Sequence, residues 1–342
     1  MIENKSIKRF RLVWMAGFCL FLLHSSCLAQ NRVASGKLWV TFKGEKGPGK
    51  GRHIVLISGD EEYRSEEALP ELGRLLSEEH GFDCTVLFAI DRESGAINPT
   101  VTDHIPGLHL LENADMMVLF TRFRNLPAEE MVYIENYIIQ GKPILGLRTA
   151  THAFNYPEES TYFKFSYNSK VPGWEGGFGK RILGETWISH HGEHGEEGTL
   201  TVKAKVDHPI LKGVDTIWVP TDVYSVNPPA NATVLLLGQP TQGMEASSPP
   251  NLEKSPMPVA WTKSYQVAAG GKVGKVFTTT MGSSVDLLDE NFRRVLVNAA
   301  FWATGIEEQI ESNLSVSLDE NYHPTMFGFG TYIKNLTPKD KK

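Results

Sequence analysis

The chain has 342 residues and a mass of 38.1 kDa, with 41% hydrophobic and 22% charged residues. That balance excludes disordered, collagenous and multi-span membrane classes and leaves enough apolar material for a large core. The 34 basic and 40 acidic residues give a net charge of −6, and no run of five like charges makes a basic stripe for a phosphate backbone, so nucleic acid is not an expected partner.

Lys5, Lys8, Arg9 and Arg11 precede an apolar run from Leu12 to Leu23, and Cys27-Leu28-Ala29 follows before Gln30. This order predicts a signal peptide over residues 1–29, cleaved after Ala29, and a periplasmic or secreted product. The apolar run is about 12 residues, short of the ~18–20 that span a bilayer as a helix, so no stable membrane span is expected after cleavage. Lipid attachment at Cys27 is the alternative, against which stands His24 where such a signal wants an aliphatic residue. Removing the four basic residues and Glu3 leaves 30 basic and 39 acidic residues, a net charge of −9, and one cysteine. That residue, Cys84, lies in an apolar run, where a free thiol acts as a small hydrophobe.

Residues 30–51 read as an extension, with a Gly/Lys-rich stretch from Lys43 to Arg52. Regular patterning starts at His53–Gly59, a continuous apolar run of the kind a strand buried on both faces shows. Leu69, Leu72, Leu75 and Leu76 then recur at helical spacing, with Ser65 as candidate cap and Gly81 as stop. Further strands are predicted at 84–90, 115–120 and 143–147, with a helix opening at Pro127 between the last two. Strands alternating with helices predict an α/β three-layer sandwich with a mostly parallel central sheet.

Periodicity is lost from Ala150 to Gly198, a length that points to a functional loop. Strand-like runs return at 199–206, 216–219, 233–237, 258–265 and 275–280. Asp289 then caps a helix that ends at Gly305. One domain over 52–305 is expected, followed by a tail, 306–342, whose segment from Pro324 to Gly330 lies against the body and whose last four residues fray.

In an open parallel sheet, chemistry gathers beyond the carboxyl ends of the strands. The residues there are Gly59-Asp60-Glu61-Glu62-Tyr63-Arg64, Thr121-Arg122-Phe123-Arg124, Arg148-Thr149-Ala150-Thr151-His152, and later Asp222 and Tyr224. The densest cluster is Ser189-His190-His191-Gly192-Glu193-His194, with three histidines in five positions. Imidazole needs little tuning for proton transfer near neutral pH. The same residues suit a zinc-like divalent ion, although glycines at 192, 195 and 198 deny His190 and His194 the helix that a four-residue spacing normally implies. A polar loop with locally bonded histidines is the competing structural explanation. Trp174, Trp187 and Trp218 suit either sugar stacking or the filling under long loops.

Several segments together resemble the ThuA-like (trehalose utilisation) proteins, which share the class I glutamine amidotransferase-like, flavodoxin-like architecture. They are the opening strand with Gly59 and Tyr63, GKPILGLRTATHAF at 141–154, DHPILKG at 207–213, TDVY at 221–224, PVAW at 258–261, GKVFTTTMG at 274–282 and FWATG at 301–305. The amidotransferases carry a nucleophilic cysteine in a Gly-x-Cys-x-Gly turn, and here Arg148 stands in its place. A guanidinium is not a nucleophile, so glutaminase activity is not expected. Ser283 follows Gly282 where the ThuA-like pattern often has histidine.

The resemblance implies a carbohydrate ligand and places Asp222 and Tyr224 towards the cleft. The catalytic candidates are His190, His191, His194 and Asp222. The substrate-binding candidates are Arg148, to hold a substrate oxygen, with His152, Glu62, Tyr63, Tyr224 and Trp187. No cofactor is expected, with a divalent ion at His190, His191 and His194 as the alternative. Two functions fit: an exported enzyme acting on a keto-sugar or glycoside as isomerase, lyase or hydrolase, and a catalytically silent sugar- or polyol-binding protein. The sequence carries no signal for oligomeric state.

Overall fold

The computed structural model describes residues 38–342; the predicted signal, its cleavage point and Cys27 lie outside them. In the first half, β1 (Trp39–Phe42), β2 (His53–Gly59), β3 (Asp83–Phe88), β4 (Met116–Thr121) and β5 (Ile144–Leu147) are interleaved with α1 (Ser65–Glu78) after β2 and α2 (Ala128–Ile139) after β4. The second half contains β6 (Ser189–His190), β7 (Thr199–Lys203), β8 (Trp218–Val219), β9 (Tyr224–Ser225), β10 (Thr233–Pro240), β11 (Met257–Gln266), β12 (Val273–Thr279) and α3 (Glu290–Ala303). Ten of these strands form one sheet in the order β1-β3-β2-β4-β5-β12-β11-β10-β7-β8, and β6 pairs with β9 apart from it.

The α/β class holds, but the expectation of a mostly parallel sheet is corrected. Four of the nine pairings are parallel, joining β3, β2, β4, β5 and β12, and the other five are antiparallel. The reason lies in the connections. A parallel crossover needs a dozen or more residues and usually a helix, whereas no α-helix lies between β7 and β12 among the described residues. Without covering helices, those strands reverse direction beside their neighbours. The antiparallel β1 shows that part of the 30–51 extension is an edge strand of the same sheet.

The continuous apolar run of β2 is explained by two cores. Ile54 and Leu56 pack with Leu69, Leu72 and Leu76 of α1 and Phe292, Val295 and Leu296 of α3. Val55 and Ile57 face the other way, with Met131, Ile134 and Ile138 of α2. The irregular stretch after β5 joins this second core through Phe154, Phe165, Phe178, Ile182 and Leu183, and Trp174 packs on Phe165 with ring centroids 4.9 Å apart. The part of the presumed functional loop up to Leu183 therefore contributes side chains to the core. Its helical turn at Gly179–Leu183 packs against β11 and β12.

Asp289 caps α3 as expected, accepting from the Phe292 N–H at 2.8 Å. Ser65 differs from expectation. It is the first residue of α1, and its Oγ accepts from the Asp60 N–H at 3.0 Å, tying the β2–α1 turn together. The tail crosses α3 and α1, burying Ile310 and Val316. At its end Pro338–Lys341 forms a 3-10 turn, where Asp340 Oδ2 accepts from the Thr337 N–H and hydroxyl at 2.7 and 2.9 Å.

Candidate functional site

From β2 the chain runs to β3 on one side, and then to β4 on the other, so the carboxyl ends of β2, β4 and β5 border a switch-point crevice. At the end of β5 the backbone turns sharply at Arg148, which has φ = 45°, a left-handed conformation uncommon for a residue with a Cβ. This is the elbow that the resemblance implied. The side chain is wholly buried. Nη1 donates to the carbonyls of Asp222 (2.7 Å) and Thr280 (2.6 Å), and Nη2 donates to the Tyr63 hydroxyl (3.0 Å) and Asp222 Oδ1 (2.6 Å). The guanidinium lies between two tyrosine faces, its carbon 4.4 Å from the Tyr63 centroid and 3.9 Å from that of Tyr224.

In this arrangement both terminal nitrogens of Arg148 are bonded within the protein, and its buried Nε alone has no partner among the described residues. A buried guanidinium keeps its charge only by spending its donors on protein acceptors, and Tyr63 and Tyr224 are spent on the same cation. These three residues form the floor of the site and position Asp222.

Asp222 is the hub. Oδ2 accepts from His190 Nδ1 at 2.6 Å, and Oδ1 accepts from His194 Nδ1 at 3.2 Å as well as from Arg148. Burial opposes ionisation of Asp222, but Arg148 and the two imidazole donors outweigh it and hold the carboxyl well below the ordinary range. His194 has an acceptor at each ring nitrogen, since Nε2 donates to Glu62 Oε1 at 3.0 Å. Two acceptors demand two ring protons. The bonds to Asp222 and then Glu62 accordingly raise the His194 pKa to about 9. His190 keeps one free nitrogen: no partner meets its Nε2 among the described residues. Both rings reach the mouth of the crevice, with side chains 34% and 36% exposed.

The loop is held in place for this. His190 pairs with Tyr224 in the short β6–β9 ladder, and the N–H groups of His191 and Gly192 both donate to the Val223 carbonyl, at 2.8 and 3.0 Å. Gly192 permits the approach, because a Cβ there would sit 3.2 Å from the Asp222 Cβ. Farther along, the buried Glu197 carboxylate accepts from the Glu193 N–H, Asn251 and Lys254 at 2.6–2.7 Å. His191 points away and its Nε2 meets the Ser255 carbonyl at 2.7 Å, so it is not part of the cluster. Grouping all three loop histidines as catalytic or metal-binding candidates is corrected to His190 and His194. Successive residues of an extended segment face opposite ways.

The remaining candidates surround this pair. Glu62 is buried beside His194, at the end of a turn that Asp60 organises by accepting from the N–H groups of Glu62 and Tyr63 and from the Thr149 hydroxyl. Burial, reinforced by Glu61, raises the Asp60 pKa to about 6. His152 is buried between Phe123 and Trp187, ring centroids 5.0 and 5.5 Å away; burial and then the charges of Arg122 and Arg148 hold it well below its ordinary value. It is a neutral packing residue with no free surface for substrate. Trp187 is half-buried against His190 at 5.8 Å. Sequence reasoning missed Phe327, whose ring lies 5.3 Å from Tyr63 and 6.1 Å from His194. Its tail segment was legible only as a stretch lying on the body. Ser283 is buried and donates to Asp286.

One group of donors converges as metal ligands do. His190, His194 and Asp222 each offer an atom within 4.8 Å of the others. Two imidazoles and a carboxylate suit a zinc-like ion, with Glu62 behind His194 as the carboxylate that orients a ligating ring.

A parallel core with an antiparallel wing, and a sharp turn after β5 that carries Arg148, define an α/β protein whose fold is consistent with the amidotransferase-like architecture the resemblance implied. Within that class the chain belongs to the ThuA family, described as trehalose utilisation, whose family model matches residues 55–303. Similar solved structures include a ThuA-like protein from Parabacteroides merdae, 15% identical with a TM-score of 0.49, the match covering 86% of this chain and 99% of that one. A second, from Bacteroides uniformis, is 15% identical with a TM-score of 0.46, covering 77% of this chain and 95% of that one. No curated protein matches the chain.

Proposed function

We propose that this ThuA-family chain processes a keto-sugar or a glycoside by acid–base chemistry at the His190–Asp222–His194 cluster. The observation that carries the reading is two part-exposed imidazoles tied to one buried carboxylate, of which His194 has a second acceptor, Glu62, at its far nitrogen and His190 has none among the described residues. Asp222 on Nδ1 selects, for a neutral His190 ring, the tautomer with its lone pair on Nε2. Such a base takes a proton from carbon next to a ketone. The C–H electron pair passes to the ketone oxygen, and the His194 imidazolium stabilises the resulting negative charge. Delivery of that proton to the former carbonyl carbon, with the proton of the adjacent hydroxyl passing to the enolate oxygen, isomerises the sugar; if instead the carbonyl re-forms and a glycosidic oxygen on the β carbon leaves, taking up the proton that His190 removed, the step is an elimination. No cofactor is needed for either.

The converging metal donors support a second reading, in which a divalent ion replaces the imidazolium as the electrophile. Both are tested by screening the full protein against keto-sugars and their parent glycosides, with and without chelator. Turnover that survives chelation supports the proton-only site, and turnover that chelation abolishes supports the ion. Glutamine in the same panel should release no ammonia, because Arg148 occupies the elbow and Cys84 is buried on β3 with its thiol pushed up by burial. Absence of turnover on every sugar leaves the sugar- or polyol-binding function instead.

Export completes the proposal, with a mature terminus at Gln30. Mass spectrometry of the exported protein reads it directly. An intact Met1, or diacylglycerol on Cys27, overturns it.

A further inference from the structure

The family match ends at residue 303, yet a segment beyond it reaches the histidine cluster. Thr325 is pinned by the Glu67 carboxylate, which accepts from its N–H and its hydroxyl, both at 2.7 Å. Three residues on, the Gly328 N–H donates to the Glu62 carbonyl at 2.8 Å, and the buried Arg64 donates to the Gly328 carbonyl. Gly328 has φ = 147°, a conformation that favours glycine. Phe327 sits between these anchors. It is half-buried, backed by the Tyr63 ring, and turned towards His194.

The rings Trp187, His190, His194 and Phe327 follow one another at centroid separations of 5.8, 4.8 and 6.1 Å. The two imidazoles are thus flanked by a large aromatic on either side. An aromatic edge fixed at both ends of its segment loses little entropy when a ligand packs on it. Its face attracts polarised C–H groups, which a pyranose ring presents together on one side and an open-chain polyol does not.

We infer that Phe327 forms a ring-binding subsite, supplied by the tail, which selects a cyclic sugar over an acyclic polyol and positions it over His190 and His194. This rests on the carbohydrate reading above. The test titrates the full protein, by NMR, with methyl β-glucopyranoside and with sorbitol, and compares Phe327→Ala, Phe327→Leu and Phe327→Trp after thermal denaturation has shown each to be folded. Aromatic contacts of this kind are worth up to about tenfold in affinity.

The expected result is tighter binding of the pyranoside by the wild type, and a loss of about three- to tenfold for that probe alone in Phe327→Ala and Phe327→Leu, with Phe327→Trp restoring it. Leucine separates ring chemistry from bulk. Wild-type pyranoside binding that Phe327→Ala leaves unchanged, or an equal loss for both probes, overturns the subsite while the carbohydrate reading stands. Binding of neither probe by the wild type removes both.

Discussion

Replacing Asp222 with alanine should lower the free energy of unfolding by about 3–5 kcal/mol, the cost of leaving one member of a buried ion pair alone. Arg148 and Asp222 are both buried, and Nη2 lies 2.6 Å from Oδ1. Alanine leaves a guanidinium between two tyrosines with no anion and two imidazoles without their shared acceptor. The double variant Arg148→Met/Asp222→Leu should lose much less, since an apolar pair carries no stranded charge. Urea denaturation of the three proteins decides the matter. A single-variant loss under about 1 kcal/mol, below what one charged hydrogen bond contributes, would mean that the pair does not organise the floor.

The pH dependence carries a sign for each group. The Asp222 pKa is depressed on folding, so its contribution is present above the ordinary carboxylate value near 3.9 and is lost only as pH falls through its lower folded value. His194 is the opposite case. Its folded pKa is raised to about 9, so its contribution is complete below about 6.5 and disappears as pH rises through about 9. More than a third of that side chain is exposed, so solvent screening keeps the second effect small. Asp222→Ala should flatten this alkaline decline together with the acid one.

His194→Gln should reduce turnover of the substrate found in the screen by about 100- to 10,000-fold, the range associated with losing a positioned proton carrier or its charge. Glutamine keeps polar contacts towards Asp222 and Glu62 but has no positive charge. In the wild type, kcat/KM should fall as pH rises through about 9, where the imidazolium loses its proton. The same limb should be missing in His194→Gln. An NMR titration of the His194 ring reads the pKa without substrate. A midpoint near 6.5 would show that Asp222 and Glu62 do not hold the charge, and activity equal to the wild type would remove His194 from the mechanism.

Much of this protein is determined by local pattern. The apolar runs of β2, β4 and β5, each followed by a polar turn, mark a doubly covered sheet and its carboxyl edge, because only strands buried on both faces lack alternation. Arg148 at the elbow was legible from the GLRTA stretch, and Asp289 as a cap from its place before an apolar helix. The sense of the second half of the sheet cannot be taken from the composition of each run, which is the same for a parallel or antiparallel neighbour; the signal was the succession of runs from 199 to 280 with no helix between them, which the expectation of a mostly parallel sheet overlooked. Which loop histidines act was hidden. His190, His191 and His194 are equivalent as letters, and only the folded loop, held by the short ladder at His190 and by bonds to the Val223 carbonyl, brings His190 and His194 onto Asp222 and His191 onto Ser255. Arg148 looked like a ligand for substrate oxygen because its sequence neighbours say nothing of Asp222, 74 positions on, which takes that role by distance and charge. Phe327 lay farther still, 133 positions beyond His194. Chain periodicity records which face of an element is buried. Contacts between distant polar groups arise only when the fold has closed around them.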